Sequence, residues 1–90
     1  MASIKVKPML TRGGSPSPNQ FIIYTSEGEY YQSYESIIAF RPRGAQPITL
    51  GEDWNYSRTT DRYRNQFLGE GIAETRRKLA DGTYILDESL

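Results

Sequence analysis

Apolar and polar residues alternate from Ser3 to Met9, with Ile4 and Val6 set against Lys5 and Lys7. That period of two predicts a half-exposed strand. The next segment, TRGGSPSPN (residues 11–19), holds two glycines, two prolines and two serines and predicts a mobile loop or hinge. A hinge there would let the first strand pair in its own chain or with another copy. QFIIYT and EYYQSY are rich in β-branched and aromatic residues and flank Glu27-Gly28, so they predict a hairpin. Within its second arm Tyr30, Gln32 and Tyr34 share one face, and Tyr31 and Ser33 share the other. SIIAFR continues the meander as a third strand, and PITL returns as a fourth, with Pro47 suited to a sheet edge or a strand entry.

The pattern then changes to a helical one. Thr60, Tyr63 and Phe67 are three and four residues apart, which places them on one helical face. Ser57, Thr59 and Thr60 are candidate N-caps, Asp61 suits a first turn, and Gly69 is a stop. A second helix is predicted from Ile72 to Ala80, with Ile72 and Leu79 inward and a Glu74–Lys78 pair outside. Arg76, Arg77 and Lys78 suit its C-terminal dipole, and Asp81-Gly82 closes it. TYIL is a last short strand before the tail. Strands, two helices and a strand predict an α+β fold: an antiparallel four- to five-stranded sheet with two short helices on one face. The chain reads as one domain over 1–90, with a strand and loop at 1–19, a core at 20–86 and a tail at 87–90.

Composition narrows the chemistry. At 90 residues the core is small, because such a chain buries only about 60–65% of its unfolded surface. There is no cysteine and no histidine, which removes disulfides, thiolate metal sites, imidazole bases and the commonest metal ligand. The carboxylate pairs Glu27/Glu29 and Glu52/Asp53 fall in turns, TRGGS lacks the lysine and helix of a phosphate loop, and Ser57 has no base beside it. The expectation is a protein without catalytic activity, cofactor or metal. No apolar run reaches membrane-span length and the N-terminus has no signal-peptide core, so the expected setting is the cytoplasm.

Eleven basic and eleven acidic residues cancel, which argues against binding polyanions by bulk charge. Binding must then rest on placed residues. WNYSRTTDRYRNQFLG (54–69) is the densest stretch. Helical spacing puts Arg58, Arg62 and Asn65 opposite Tyr63 and Phe67, with Arg64 beside them. Trp54, Tyr56, Thr60, Tyr63 and Phe67 are expected to anchor the helix to the sheet. Arg41 and Arg43 leave the third strand of the meander, and Tyr30, Tyr31 and Tyr34 are available for stacking. Tyr, Trp and Arg dominate protein-binding hot spots, and Arg with stacked Tyr also serves nucleic acids. The candidate contact set is therefore Arg58, Arg62, Arg64, Asn65, Tyr30, Tyr31, Arg41 and Arg43.

The segments YYQSYESIIAF, WNYSRTTDRYRNQFLGE and DGTYIL together resemble a family of small uncharacterised proteins encoded largely by bacteriophages and prophages. The resemblance is carried by Tyr31, Gln32, Ser33, Tyr34, Ile38 and Ala39, then Trp54, Asn55, Tyr56, Ser57, Thr59, Thr60, Tyr63, Phe67 and Leu68, then Gly82 and Tyr84. It spans about residues 20–86, and the Gly/Pro/Ser loop is longer than that pattern. It implies a phage-related origin and no particular mechanism. The leading expectation is a protein that binds and blocks a host protein, in the manner of an anti-CRISPR inhibitor of host defence. A nucleic-acid-binding module and a self-associating structural subunit, a homo-oligomer, are the alternatives.

Overall fold

The computed structural model describes residues 4–90. Ser3, at the head of the expected first strand, lies outside the described residues. Six strands and two helices follow in the order β1 (Lys5–Leu10), β2 (Pro16–Thr25), β3 (Gly28–Ser33), β4 (Ser36–Pro42), β5 (Thr49–Leu50), α1 (Arg58–Leu68), α2 (Ile72–Ala80) and β6 (Ile85–Leu86). The strands lie side by side in sequence order. The fold is α+β, as the pattern predicts, with one more strand than expected. It is also mixed, because β6 joins β5 in parallel after the helical crossover.

The segment at 11–19 is shorter as a loop than its composition implies. Thr11 N–H donates to Ser15 O at 2.7 Å and Gly14 N–H to Thr11 O at 2.9 Å, closing a tight turn. Pro16 and Pro18 already lie in β2. The first strand pairs with β2 of its own chain, from Lys5↔Tyr24 to Leu10↔Pro16 with an irregularity after Pro8. Met9 reaches the core from it.

Register sorts the strand residues onto two faces. Lys7, Ile22, Tyr31, Ala39, Leu50 and Leu86 align on the helix side. Val6, Ile23, Tyr30, Phe40, Thr49 and Ile85 align on the other side, next to a second row of Pro8, Phe21, Gln32 and Ile37. A bulge at Ile38, between the Gln32↔Ile37 and Tyr31↔Ala39 pairs, turns both Ile38 and Ala39 into the core. Two glycines hold this meander close. At Gly28 (φ 150°) a Cβ would lie 2.2 Å from Arg41 O, and at Gly51 it would lie 2.4 Å from Ile37 O.

Helix α1 packs Tyr63 and Phe67 onto Tyr31, Ile38, Ala39 and Leu50, as the three-and-four spacing predicts. Ser57 is its N-cap, accepting from Thr60 N–H at 3.2 Å. Gly69 ends it in the left-handed region at φ 72°. Helix α2 has the predicted limits but a different charge pairing. Lys78 turns to Glu70 at 2.6 Å, and Glu74 pairs with Arg77. The Glu70 carboxylate, nearly buried, also accepts from Tyr84 Oη at 2.8 Å and Thr75 Oγ1 at 2.7 Å. This knot ties the interhelix turn to α2 and to the entrance of β6.

Burial works to raise the Glu70 pKa, but hydrogen bonds from Lys78, Thr75 and Tyr84 outweigh it, so the pKa falls below its ordinary value. A carboxylate with a depressed folded pKa stabilises fully above its unfolded value and loses that contribution as pH falls through the folded one. Between pH 5 and pH 3 the urea midpoint is therefore expected to drop more in the native protein than in Glu70→Gln. Equal drops would show that the knot does not titrate with folding. Gly51→Ala is expected to lower stability by about 2 kcal/mol, because backbone must move to admit the methyl. Denaturant melts check this.

Candidate functional site

The eight candidate contact residues do not form one surface. Four of them are used inside the fold. Tyr31 is fully buried rather than available for stacking. Its phenol lies 2.6 Å from Gln20 Oε1 and 3.2 Å from Thr60 O, and burial pushes its pKa up. Arg64 is also fully buried, against the expectation of an outward residue. Its guanidinium donates to Trp54 O at 2.8 Å, Asp61 Oδ1 at 2.7 Å and Asn65 Oδ1 at 2.9 Å, and lies 5.5 Å from the Trp54 ring centroid. Asn65 is thus a second-hand partner of Arg64 rather than a free contact. Asn55, oriented with its amide nitrogen toward Asp61, adds donors at 3.1 and 3.0 Å. The helical wheel misjudged Arg64 because residues 51–57 fold back over that flank of α1 and cover it.

Arg41 is the fourth. It lies over the Phe67 ring at 4.3 Å, donates to Phe67 O and pairs with Glu29 at 3.3 Å. The last turn of α1 has no basic residue of its own. Arg41 supplies from the sheet the cation that a helix C-terminus favours.

The other four are scattered. Tyr30 stacks on Phe40 at 4.4 Å on the sheet face away from the helices. Arg43 is exposed at the far end of β4, beside a shallow hollow with Tyr24 and Glu29. Arg58 and Arg62 are exposed on the first turns of α1, and among the described residues neither has an ion-pair partner.

The main concavity is a groove of about 750 Å³ between the β3–β4 turn and the start of α1, and neither arginine lines it. Its floor is a chain of hydroxyls. Ser57 Oγ donates to Thr60 Oγ1 at 3.2 Å, which leaves the Thr60 hydrogen free for Ser33 Oγ at 3.0 Å. Ser36 donates to Asp53 at 2.8 Å along one wall, and Glu35 and Asn19 stand at the rim. The groove is flanked by Tyr34, 56% exposed, and Tyr56, 76% exposed. Tyr56 had been expected in the core. It stands outside because residues 51–56 form turns, in which the alternation of Trp54 and Tyr56 has no meaning for burial.

Tyr34 is also conformationally unusual. It is the first residue of the two-residue loop between Ser33 and Ser36, at φ 55°. Glu35 is not in the positive-φ region. A first loop position at positive φ favours glycine. A bulky side chain there costs about 1–2 kcal/mol. Tyr34 N–H donates to Asn19 O at 2.7 Å, and its own carbonyl accepts from Gln32 Nε2 at 2.6 Å, so the surrounding chain holds it in place. Asn19 is itself at φ 63°.

Residues 4–82 match a family of unknown function (DUF8033). The chain belongs to that family. The match takes in β1 and so extends further toward the N-terminus than the segments that carried the resemblance. No curated protein and no solved structure matches the chain. Among the described residues no helix of this DUF8033 member is long and apolar enough to cross a membrane. No cluster of three or more Asp and Glu converges there on a metal position either.

Burial separates the arginines by role. Arg64→Ala is expected to cost about 3 kcal/mol, because it leaves the Trp54 carbonyl without its donor and Asp61 without its charged partner. Arg58→Ala and Arg62→Ala are expected to change stability by no more than about 0.5 kcal/mol. Thermal and urea melts of the three variants distinguish them.

Proposed function

We propose that this protein is a non-catalytic binding protein whose contact surface is the groove at the start of α1. Tyr34 and Tyr56 are the anchors, and the exposed Arg58 and Arg62 of α1, outside the groove itself, extend the contact. The observation that carries the reading is Tyr34. A turn that favours glycine instead holds a tyrosine, at a conformational cost, with its ring half in solvent at the mouth of the groove. Strain retained at an exposed aromatic is a reason to look for a partner. Tyr and Arg are among the side chains that make binding hot spots.

In its specific form the proposal is a phage-encoded protein that occupies and blocks a host protein, such as a component of host defence. What supports this form is the sequence resemblance, together with residue types suited to contact. A second reading is nucleic-acid binding, in which the exposed Arg58 and Arg62 meet phosphates and the exposed Tyr56 ring stacks on a base.

Tyr34→Gly separates binding from folding. The variant is expected to melt at the same temperature as the native protein or a few degrees higher. The tagged variant is also expected to lose most of the host protein that the tagged native chain retains from lysate. Arg58→Glu with Arg62→Glu is expected to do the same without lowering the melting temperature. Retention unaffected by all three changes would refute the groove as the contact surface. Tight binding of labelled single-stranded DNA at low salt, weakening steeply as salt rises, would favour the second reading instead.

A further inference from the structure

The molecule is a slab measuring 36 × 35 × 21 Å, with both helices on one side of the sheet. Among the described residues nothing covers the other side. The two rows named above, and a third of Thr25, Gly28 and Pro42 on the same side, carry no charged residue. The charges of the same strands, Lys5, Lys7, Glu29 and Arg41, all fall on the helix side. On edge strand β1 the lysines fall on the helix side and, with Pro8, guard against edge-to-edge pairing, which leaves the open face to Val6, 57% exposed. At the opposite edge Ile85 is 47% exposed on the same open side. Between them lie Ile23 and the Tyr30–Phe40 stack.

We propose that this open sheet face is the interface of a homodimer, in which two copies pack their sheets back to back about a twofold axis. Three features select a second copy as the occupant. The face has no charge with which to recognise a charged partner, whereas an apolar face complements itself in an isologous contact. The chain has zero net charge, so two copies approach without long-range repulsion. The area is also of the right order. At about 4.8 Å between strands and about 20 Å of strand length, β1–β4 present roughly 400 Å² in projection, and β5 and β6 add to it. Two such faces together approach the ~1,000 Å² that a specific interface needs, before the relief of the side chains is counted. The product is a sandwich with sheets about 10 Å apart. Its outer faces carry the helices, so the two Tyr34 grooves remain open and point away from each other.

Sedimentation equilibrium from about 1 to 200 μM is the test. The native chain is expected to sediment at twice its 10.3 kDa mass at the upper concentrations. Val6→Lys and Ile85→Lys place a charge on the open face at positions already half exposed in a single copy. Each is expected to weaken dimerisation by at least about 100-fold, because the charge must be buried unpaired. Leu86→Lys is the control, since Leu86 is 49% exposed but lies on the helix side. It is expected to leave the dimer intact. Circular dichroism confirms folding, and either open-face variant suffices if the other does not fold. A native chain that remains monomeric at 200 μM overturns the proposal. So does a dimer that survives both open-face lysines, or one that Leu86→Lys dissolves. The result is independent of the groove, because Tyr34→Gly leaves this face untouched.

Discussion

The seam of buried polar groups between the sheet and the first turn of α1 determines where everything else sits. Gln20 and Ser33 from paired strands, Tyr31 between them and Thr60 from the helix are all buried. The Tyr31 phenol has one hydrogen to share between Gln20 Oε1 and Thr60 O, while Thr60 Oγ1 links Ser33 to the cap residue Ser57. In so small a core these groups have no solvent to fall back on. Apart from Gln20 Nε2, which has no partner, their side-chain groups bond to one another or to the helix backbone, which favours one position of the helix on the sheet. Apolar packing of Tyr63 and Phe67 supplies the cohesion, and the seam supplies the register.

Two arginines extend that constraint to both ends of α1. Arg64 binds the turns at 51–57 to the helix flank through Trp54 O, with Asp61 of the same helix as its counter-charge. Arg41 holds the C-terminal carbonyl of Phe67 from β4. Cations that look available for a partner are thereby taken up by the fold. The arginines that remain, Arg58 and Arg62, are exposed on the first turns of α1, while the groove lies between the capped start of that helix and the β3–β4 turn. The strain at Tyr34 is tolerable because its backbone is held on both sides by Asn19 and Gln32.

The molecule thus presents two surfaces of opposite character. The helix side carries charge, the polar groove and the exposed tyrosines. The reverse side of the sheet is apolar and uncharged. Such a division follows from strand alternation when one face of an antiparallel meander packs on helices and the other does not turn polar.

Much of the architecture was legible in the amino-acid order. Local signals define the helices, since Ser57 and Gly69 act through backbone geometry within one turn, and Thr60, Tyr63 and Phe67 meet the sheet by periodicity alone. The same holds for the Gly28 hairpin and for the alternation of Tyr30 and Tyr31, although that alternation says nothing of which face will be covered. Tertiary structure decided the rest. Arg64 is buried because a segment ten residues earlier folds over it, and Arg41 is engaged because a helix 26 residues later ends beside it. Tyr56 is free because its segment turns instead of extending. The parallel pairing of β6, the Glu70 knot and the groove likewise depend on contacts between residues far apart in the chain. Periodicity orders neighbours within one element, whereas exposure of a charged or aromatic side chain depends on which other element packs over it.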